Sequence, residues 1–396
     1  MNGQSLQEGK GCRECQVELW LRENNAWNSK WIDVKDLREA SCIRTIPSII
    51  FAKARTIREC AACRAYVAQI FQLPDVFWSK YCKRSNGYFG CENVYGSDGL
   101  QNTWFRFHMK QVLQHYLPDG KDYVWYNLNV LSIWQPGGKN AIISFDTHDF
   151  LKPKILSFLL STQISKNDPY WVHTAFLQEV ASMQDEAVWS VRDFVRKTET
   201  DRTSNARPNP NYPRLHDIAR HAIHVQETLE VAVVTIENMI HQHDDFFLEL
   251  STGDLDNTPQ QAQKRLHFYL HVMKSLKSRA QANKERLINE ITLAYNTVAQ
   301  YDSRISVQIG QAAQSDSAAM KTIAFLTLAF LPATFVSAIF SMTFFDYTPA
   351  SDGNPEVYSI SEKFWMYWAV AVPLSALTVS LWLFWHKFFP PKVIGS

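Results

Sequence analysis

MKTIAFLTLAFLPATFVSAIFSMTFF, residues Met320 to Phe345, carries no charge after Lys321. Wound as a helix it is about as long as the hydrocarbon core of a bilayer is thick, so a transmembrane helix is expected here. A second uncharged run, Phe364 to Trp385, follows after a short polar loop. The chain should therefore cross a membrane, turn and come back.

At a helical period, one face of the first run collects Asp316, Met320, Ile323, Thr327, Phe330 or Leu331, Thr334, Ala338 and Ser341. Thr327, Thr334 and Ser341 stand a heptad apart. A face turned to lipid gains nothing from hydroxyls, whereas one packed on other helices or lining water can use them. Two readings stay open at this point: helix packing through small residues, with the hydroxyls bonded to their own helix, or the wall of a pore. In the second run, Phe364, Trp365, Tyr367 and Trp368 at one end and Trp382, Phe384 and Trp385 at the other form aromatic belts suited to the two interfaces. This helix is expected to face lipid, with the first inside it.

The loop between the runs holds Asp346, Asp352, Glu356 and Glu362 against Lys363, while Lys321, Lys387 and Lys392 flank the outer ends. The positive-inside rule then places both termini in the cytoplasm, with the plasma membrane as the default address and an internal organelle as the other choice. The first residues, MNGQSLQEGKGCRECQVELW, contain no apolar signal core, so no cleaved leader is expected. The 396 residues carry a net charge of +1, which gives no reason to expect nucleic acid as a partner.

All 7 cysteines precede residue 100, on the side where thiols stay reduced. Cys12-x-x-Cys15 and Cys60-x-x-Cys63 have the pair spacing of a zinc site, but the interval between the pairs is longer than in common zinc ribbons. Because Cys60 and Cys63 lie in a helical-looking stretch, ordinary buried thiols are expected instead.

From Val17 to about Asp146 the pattern is mixed. VELWL, YVWYNLNVLSIW and NAIISF read as strands, and Ile57 to Phe71 and Trp104 to His115 as helices. The aromatic clusters around Trp78 and Phe89 are expected to be core, since no basic groove accompanies them. Helices are expected from Trp171 to about Thr200 and from Leu215 to about Leu250, separated by the prolines of ARPNPNYPR. The second carries His216, His221, His224, His241 and His243, read as a wet face rather than a metal site. A marked helix start follows, with Thr258 as N-cap, Pro259 at the first position and Gln261 as capping-box partner. Gly310 and Pro332 are the only breakers before Phe345, so one helix of about 130 Å is expected, most of it a stalk below the membrane. Leu287, Ile291, Ala294, Val298, Tyr301 and Ile305 alternate steps of four and three, the mark of a coiled-coil seam, so the stalk should self-associate.

This order of parts resembles the CorA family of magnesium transporters. The closest local match is LPATFVSAIFSMTFF, Leu331 to Phe345, which resembles the end of that family's pore helix, with Pro332, Thr334 and Ser341-Met342-Thr343 where the family has a proline, a threonine and a Gly-Met-Asn motif. Before Thr258 the likeness is weaker, and there FWSKYCKRSNGYFG resembles the divergent fungal CorA-like proteins. The resemblance implies a funnel-shaped homopentamer with the first spans around a pore, constricted at Thr334, Leu331, Ile323 and Met320. It also implies Mg²⁺, or another divalent cation, as the transported and the regulatory ion, with no further cofactor and no enzymatic chemistry. Ser341, Met342 and Thr343 would form the entrance, beside an apolar gate at Leu331, Ile323 and Met320. Asp316, Asp302 and Glu356 are the candidate metal contacts, and the acids at Asp244 and Asp245 a further attraction for cations.

The fold expected is an α+β cytosolic domain, a long stalk helix and a two-helix transmembrane hairpin. Its parts are 1–170 (α/β domain), 171–257 (antiparallel helices), 258–319 (stalk), 320–345 (pore helix), 346–363 (external acidic loop), 364–386 (second span) and 387–396 (cytosolic tail). The expected partners are further copies of the chain, lipid and divalent cations. The function expected is passive influx of divalent metal ions, Mg²⁺ first among them. The alternative is a non-conducting membrane-anchored sensor or scaffold of the same fold.

Overall fold

The structure is a computed structural model describing residues 15–38, 48–93, 101–135, 139–161, 168–201, 207–250, 260–350 and 355–388; of 249, 250, 260, 340–343 and 386 only the backbone is described. Cys12, Cys42, Asp352, Lys392 and the capping pair Thr258 and Pro259 lie outside the described residues. The chain divides into two compact units, Met1–Asn296 and Thr297–Ser396.

The first unit is built on a sheet of 7 strands in the order β2-β1-β3-β7-β6-β5-β4. These are β1 (Gln16–Glu23), β2 (Ala26–Asp33), β3 (Ser48–Ala52), β4 (Gly87–Asn93), β5 (Gln101–Val112), β6 (Tyr123–Gln135) and β7 (Lys139–Phe145). β3 and β7 run parallel and the other neighbours antiparallel. Asn24 and Asn25, both at positive φ, make the tight turn from β1 to β2, the backbone that a two-residue hairpin demands and that asparagine tolerates. Strands expected at VELWL, YVWYNLNVLSIW and NAIISF are all present.

β5 corrects the helix expected from Trp104 to His115. It pairs along its whole length with β6, Gln101 opposite Trp134 through Val112 opposite Tyr123. The signal was the strict alternation of Phe105, Phe107 and Met109, which puts three apolar side chains on one face of a strand. All three lie in a core that also holds Ile49, Phe51, Leu128, Val130 and Ile142. The residues between them face the other way: Trp104 joins a second core with Ile50, Leu131, Ile133, Ile143 and Phe145. Burial on both faces matches β3, SIIFA, which is buried at every position and apolar from Ile49 on.

The second core is covered by α1 (Ala54–Glu59) and α2 (Ala61–Phe71). A single helix was expected over Ile57 to Phe71; Cys60 interrupts it with extended backbone, φ −98 and ψ 107. A short helix, α3 (Lys80–Arg84), follows, its N-cap Ser79 accepting from the Cys82 amide. The first core is covered by α4 (Leu151–Ser161), α5 (His173–Thr200), α6 (Tyr212–Leu250) and the start of α7 (Gln260–Phe344). One continuous core thus joins the sheet to the helices after residue 170.

α7 runs unbroken for 85 residues through Gly310 and Pro332, as its uninterrupted helical composition led one to expect. The start of its seam is occupied within the chain. Leu287 is buried, and Ile291 and Ala294 pack on the first core. Tyr212 stacks on Tyr295 with ring centroids 4.5 Å apart. Val298, Tyr301 and Ile305 remain half-buried.

In the second unit, α7 leads into β8 (Phe345–Thr348), which pairs antiparallel with β9 (Val357–Ile360) before α8 (Trp365–Phe388). The acidic loop therefore contains a short hairpin rather than irregular chain alone. Among the described residues, two helices are long and apolar enough to cross a membrane, within Gln261–Ile339 and Trp365–Trp385, and only 11% and 6% of their apolar windows are buried. A core helix of a soluble domain would be mostly covered.

Candidate functional site

α8 packs on one side of the apolar part of α7. Val336 is 4% exposed and Ala371 2%, and Pro332 is buried with Leu328, Ala329 and Ala333 half-buried around it. Tyr367 donates from its hydroxyl to the Ala333 carbonyl at 3.3 Å. Phe325 meets Trp382 with centroids 5.5 Å apart, and Phe344 meets Phe364 at 5.9 Å. At about 100° per residue, this covered face is centred some 160° from the stripe Met320, Ile323, Thr327, Leu331, Thr334, Ala338. The second apolar helix thus covers the back of the first.

The stripe itself stays open in one chain. Met320 is 70% exposed, Ile323 64% and Leu331 61%, and Thr327 and Thr334 are exposed as well. Thr327 donates to the Ile323 carbonyl at 2.9 Å and Thr334 to the Phe330 carbonyl at 2.7 Å. Each hydroxyl proton is thus held by its own helix, and the oxygen keeps a lone pair directed outward as an acceptor. A ring of such oxygens can receive hydrogen bonds from the water shell of a cation.

The helix backbone continues through Ser341, Met342 and Thr343; their side chains lie outside what is described. Asp316 is exposed on the stripe's own side, and Asp302 and Glu356 are exposed. Among the described residues these three carboxylates belong to no group of three or more metal-binding side chains within one chain. Asp244 accepts from Gln263 at 2.7 Å and Asp245 pairs with His241 at 3.0 Å, so those acids are engaged inside the first unit.

The histidines of α6 overturn the expectation of a uniformly wet face. His221 and His243 are fully buried, while His216 and His241 are exposed. Their partners come from other elements, which the helix's own sequence does not reveal. His221 Nε2 lies 2.9 Å from Asp122 Oδ1, and Arg214 donates to Asp122 Oδ2 at 2.6 Å. Burial, then the charge of Lys110, lowers His221 to about 4 against the pull of Asp122. The contact is therefore a neutral imidazole donating to a carboxylate rather than an ion pair. For Asp122, burial acts to raise its pKa, but Arg214 and His221 outweigh it and hold it below the ordinary value.

Lys110 is 1% exposed. Its ammonium sits 4.2 Å from the Tyr123 ring centroid and 2.9 Å from His224 Nδ1. Burial, and secondarily Arg220, pulls it down to about 8. Arg106 is held by three neutral acceptors, the Ser85 carbonyl and the side chains of Asn129 and Asn127. It lines a polar cavity of about 420 Å³ with Arg55, Arg58, Lys83 and Asp146. Lys110 and Arg106 are thus held by aromatic faces, an imidazole, a carbonyl and side-chain amides, as structural polar networks.

No protein-family model matches the chain. A curated relative, notoamide biosynthesis cluster protein M′ from Aspergillus versicolor, is 32% identical over 299 residues, 69% of this chain. The match spans 61% of that protein's length. Among solved structures, the chain is similar to full-length CmaX at TM-score 0.44 and 11% identity, over 97% of this chain and 100% of that one. It is similar to the CorA magnesium transporter of Methanocaldococcus jannaschii at TM-score 0.39 and 12% identity, over 92% and 96%. The cytoplasmic domain of ZntB from Vibrio parahaemolyticus gives TM-score 0.44 and 8% identity, over 73% and 99%.

Proposed function

We propose that this protein is a membrane channel for divalent cations, in which copies of α7 gather around an axis with the Met320 to Ala338 stripe facing inward. One observation carries the reading: α8 covers α7 on the side opposite the hydroxyl-bearing stripe, so that stripe is left for other copies of the chain. A lone hairpin in lipid would have no use for it, because hydroxyls beside acyl chains gain nothing. Mg²⁺ is the first candidate ion and five copies the first candidate assembly, both on the sequence resemblance to CorA. Mg²⁺ gives up its water reluctantly, so the passage would select by hydrogen-bonding to the hydration shell, at Ser341 to Thr343 and at the Thr334 ring. Met320, Ile323 and Leu331 would close it by excluding water, Asp316 would hold a cation at the inner mouth, and Glu356 would raise the cation concentration at the outer one. The membrane occupied is taken as the plasma membrane.

The rival reading, a non-conducting sensor on the same fold, is favoured by the Ser-Met-Thr entrance. Flux separates the two. Full-length protein in vesicles loaded with a Mg²⁺-sensitive dye should admit Mg²⁺, and Thr334→Lys should stop it. Unchanged uptake in Thr334→Lys overturns the pore. Binding of Mg²⁺ without any flux, in the native chain and in one restored to Gly-Met-Asn, supports the sensor.

A further inference from the structure

Three cysteines from two separate stretches of the first unit, Cys15 and the Cys60–Cys63 pair, converge. The sulfurs of Cys15, Cys60 and Cys63 all lie within 4.8 Å of one another, and among the described residues they are the one such group of potential metal ligands. We propose that they bind a zinc ion through three thiolates, the fourth position being filled by water or a further donor. The site is independent of the pore: it lies in the other unit and uses soft sulfur donors, which suit Zn²⁺ and not Mg²⁺.

The local backbone explains how the three meet. Cys15 directly precedes β1, where its carbonyl accepts from the Val34 amide at 3.0 Å, and its thiol donates to the Thr56 carbonyl at 3.5 Å. Thr56 belongs to α1, so this contact brings the first donor against the α1 to α2 corner. Cys60 occupies the corner itself, in extended backbone between the two helices. It is the N-cap of α2 and makes no side-chain capping bond, although its carbonyl accepts the first helical bond from Arg64 at 2.9 Å. Cys63 stands one turn on, at the third helical position. The C-x-x-C pair therefore straddles a helix N-terminus, where unpaired amides and the helix dipole favour negatively charged sulfur.

Metric considerations agree. Tetrahedral Zn²⁺ with Zn–S bonds of about 2.3 Å sets its sulfurs about 3.8 Å apart, so the cluster has to close by no more than about 1 Å. Side-chain torsions on one half-exposed and two buried cysteines can supply that. Cys15 and Cys63 are buried and Cys60 is half-exposed, which leaves the ion an entry path and a side for the fourth ligand. Binding would release the thiol protons to solvent, one per sulfur ligated.

The sequence pointed to the same two Cys-x-x-Cys pairs but favoured buried thiols, because the stretch around Cys60 looked continuously helical. The break at Cys60 is what frees its sulfur to turn toward Cys15. A plain apolar cluster of thiols remains the competing account, since Cys15 and Cys63 also belong to the second core. A disulfide within the group is the other.

The test uses full-length protein purified in detergent under reducing conditions without chelator. Elemental analysis should find about one zinc per chain, and Co²⁺ exchanged for it should give the thiolate-to-metal charge-transfer absorption and the intense visible bands of a tetrahedral sulfur site. Cys60→Ser, at the half-exposed position, and the double variant Cys60→Ser/Cys63→Ser should lose the metal and the absorption, whereas Cys82→Ser should keep both. Circular dichroism identifies any variant that fails to fold, and for such a variant protection of the native thiols from alkylation by added Zn²⁺ replaces metal content as the readout. The proposal is overturned if native protein holds no more zinc than the double variant, if Zn²⁺ leaves the alkylation rate unchanged, or if reduction of an existing disulfide yields thiols that take up no Co²⁺.

Discussion

The two units of this chain treat their polar groups in opposite ways. In the first, Asp122 accepts from both Arg214 and His221, and His173 Nε2 lies 2.9 Å from the Thr103 hydroxyl. Lys110 lies against Tyr123 and His224. These contacts are made inside the fold. In the second, Thr327 and Thr334 use their protons on their own helix, and the stripe they sit on faces away from α8. The second unit leaves a face that only other copies, lipid or water can cover. The difference teaches where to look for function: in a surface left incomplete, not in the density of charged groups.

Perturbations should separate the units in kind as well as in size. The largest effect is expected in the second, where Thr334→Lys should abolish Mg²⁺ uptake by reconstituted vesicles, a fall of about tenfold or more, while the thermal unfolding of the first unit stays unchanged. A loss of folding instead of flux would break the comparison. In the first unit, Phe105→Ala should lower stability by about 4 kcal/mol in denaturant titration, because a fully buried ring that meets Phe107, His173 and Phe176 leaves a cavity. Asp122→Ala comes next, at about 3 kcal/mol, since it strands Arg214 and His221 together.

Acid should act on the first unit in the same sense. Burial, then the charge of His243, lowers His173 to about 3, and His221 is lowered to about 4. Above the unfolded value near 6.5 neither group is protonated in either state, and their contribution is complete. As pH falls toward the folded values the unfolded chain takes up protons that the folded chain refuses, so stability declines. For His173 alone the loss between pH 6.5 and 5 is about 2 kcal/mol. A tryptophan-fluorescence titration of unfolding that stays flat across that window would contradict it. The smallest effect is assigned to Tyr367→Phe, which removes the hydroxyl bonded to the Ala333 carbonyl. It should loosen the hairpin by about 1 kcal/mol, read as faster amide exchange around Ala333.

Much of this architecture was legible from local pattern. The uncharged runs, the unbroken length of α7 and the strands β1, β6 and β7 each follow from periodicity or from the absence of breakers, which are properties of neighbouring residues. The failures share a cause. β5 reads as a helix from its length and apolar content although Phe105, Phe107 and Met109 alternate with Arg106, His108 and Lys110, and pairing with β4 and β6 settles it as a strand. The histidines of α6 looked solvated because the partners of His221 and His243, Asp122 and Asp168, are distant in sequence. The seam beginning at Leu287 reads as an interface between copies; its first turns are instead met by Tyr212 in the same chain, while Val298, Tyr301 and Ile305 are only half-buried.

The sequence by itself determined that two long apolar helices exist and which edge of the first carries the hydroxyls, because helical geometry turns spacing directly into direction. Only the tertiary structure decided that α8 covers the opposite edge, that Lys110 and His221 are buried, and that Cys15 reaches Cys60 and Cys63. Those facts depend on contacts between residues far apart along the chain, and local preference carries no information about which distant surfaces will meet.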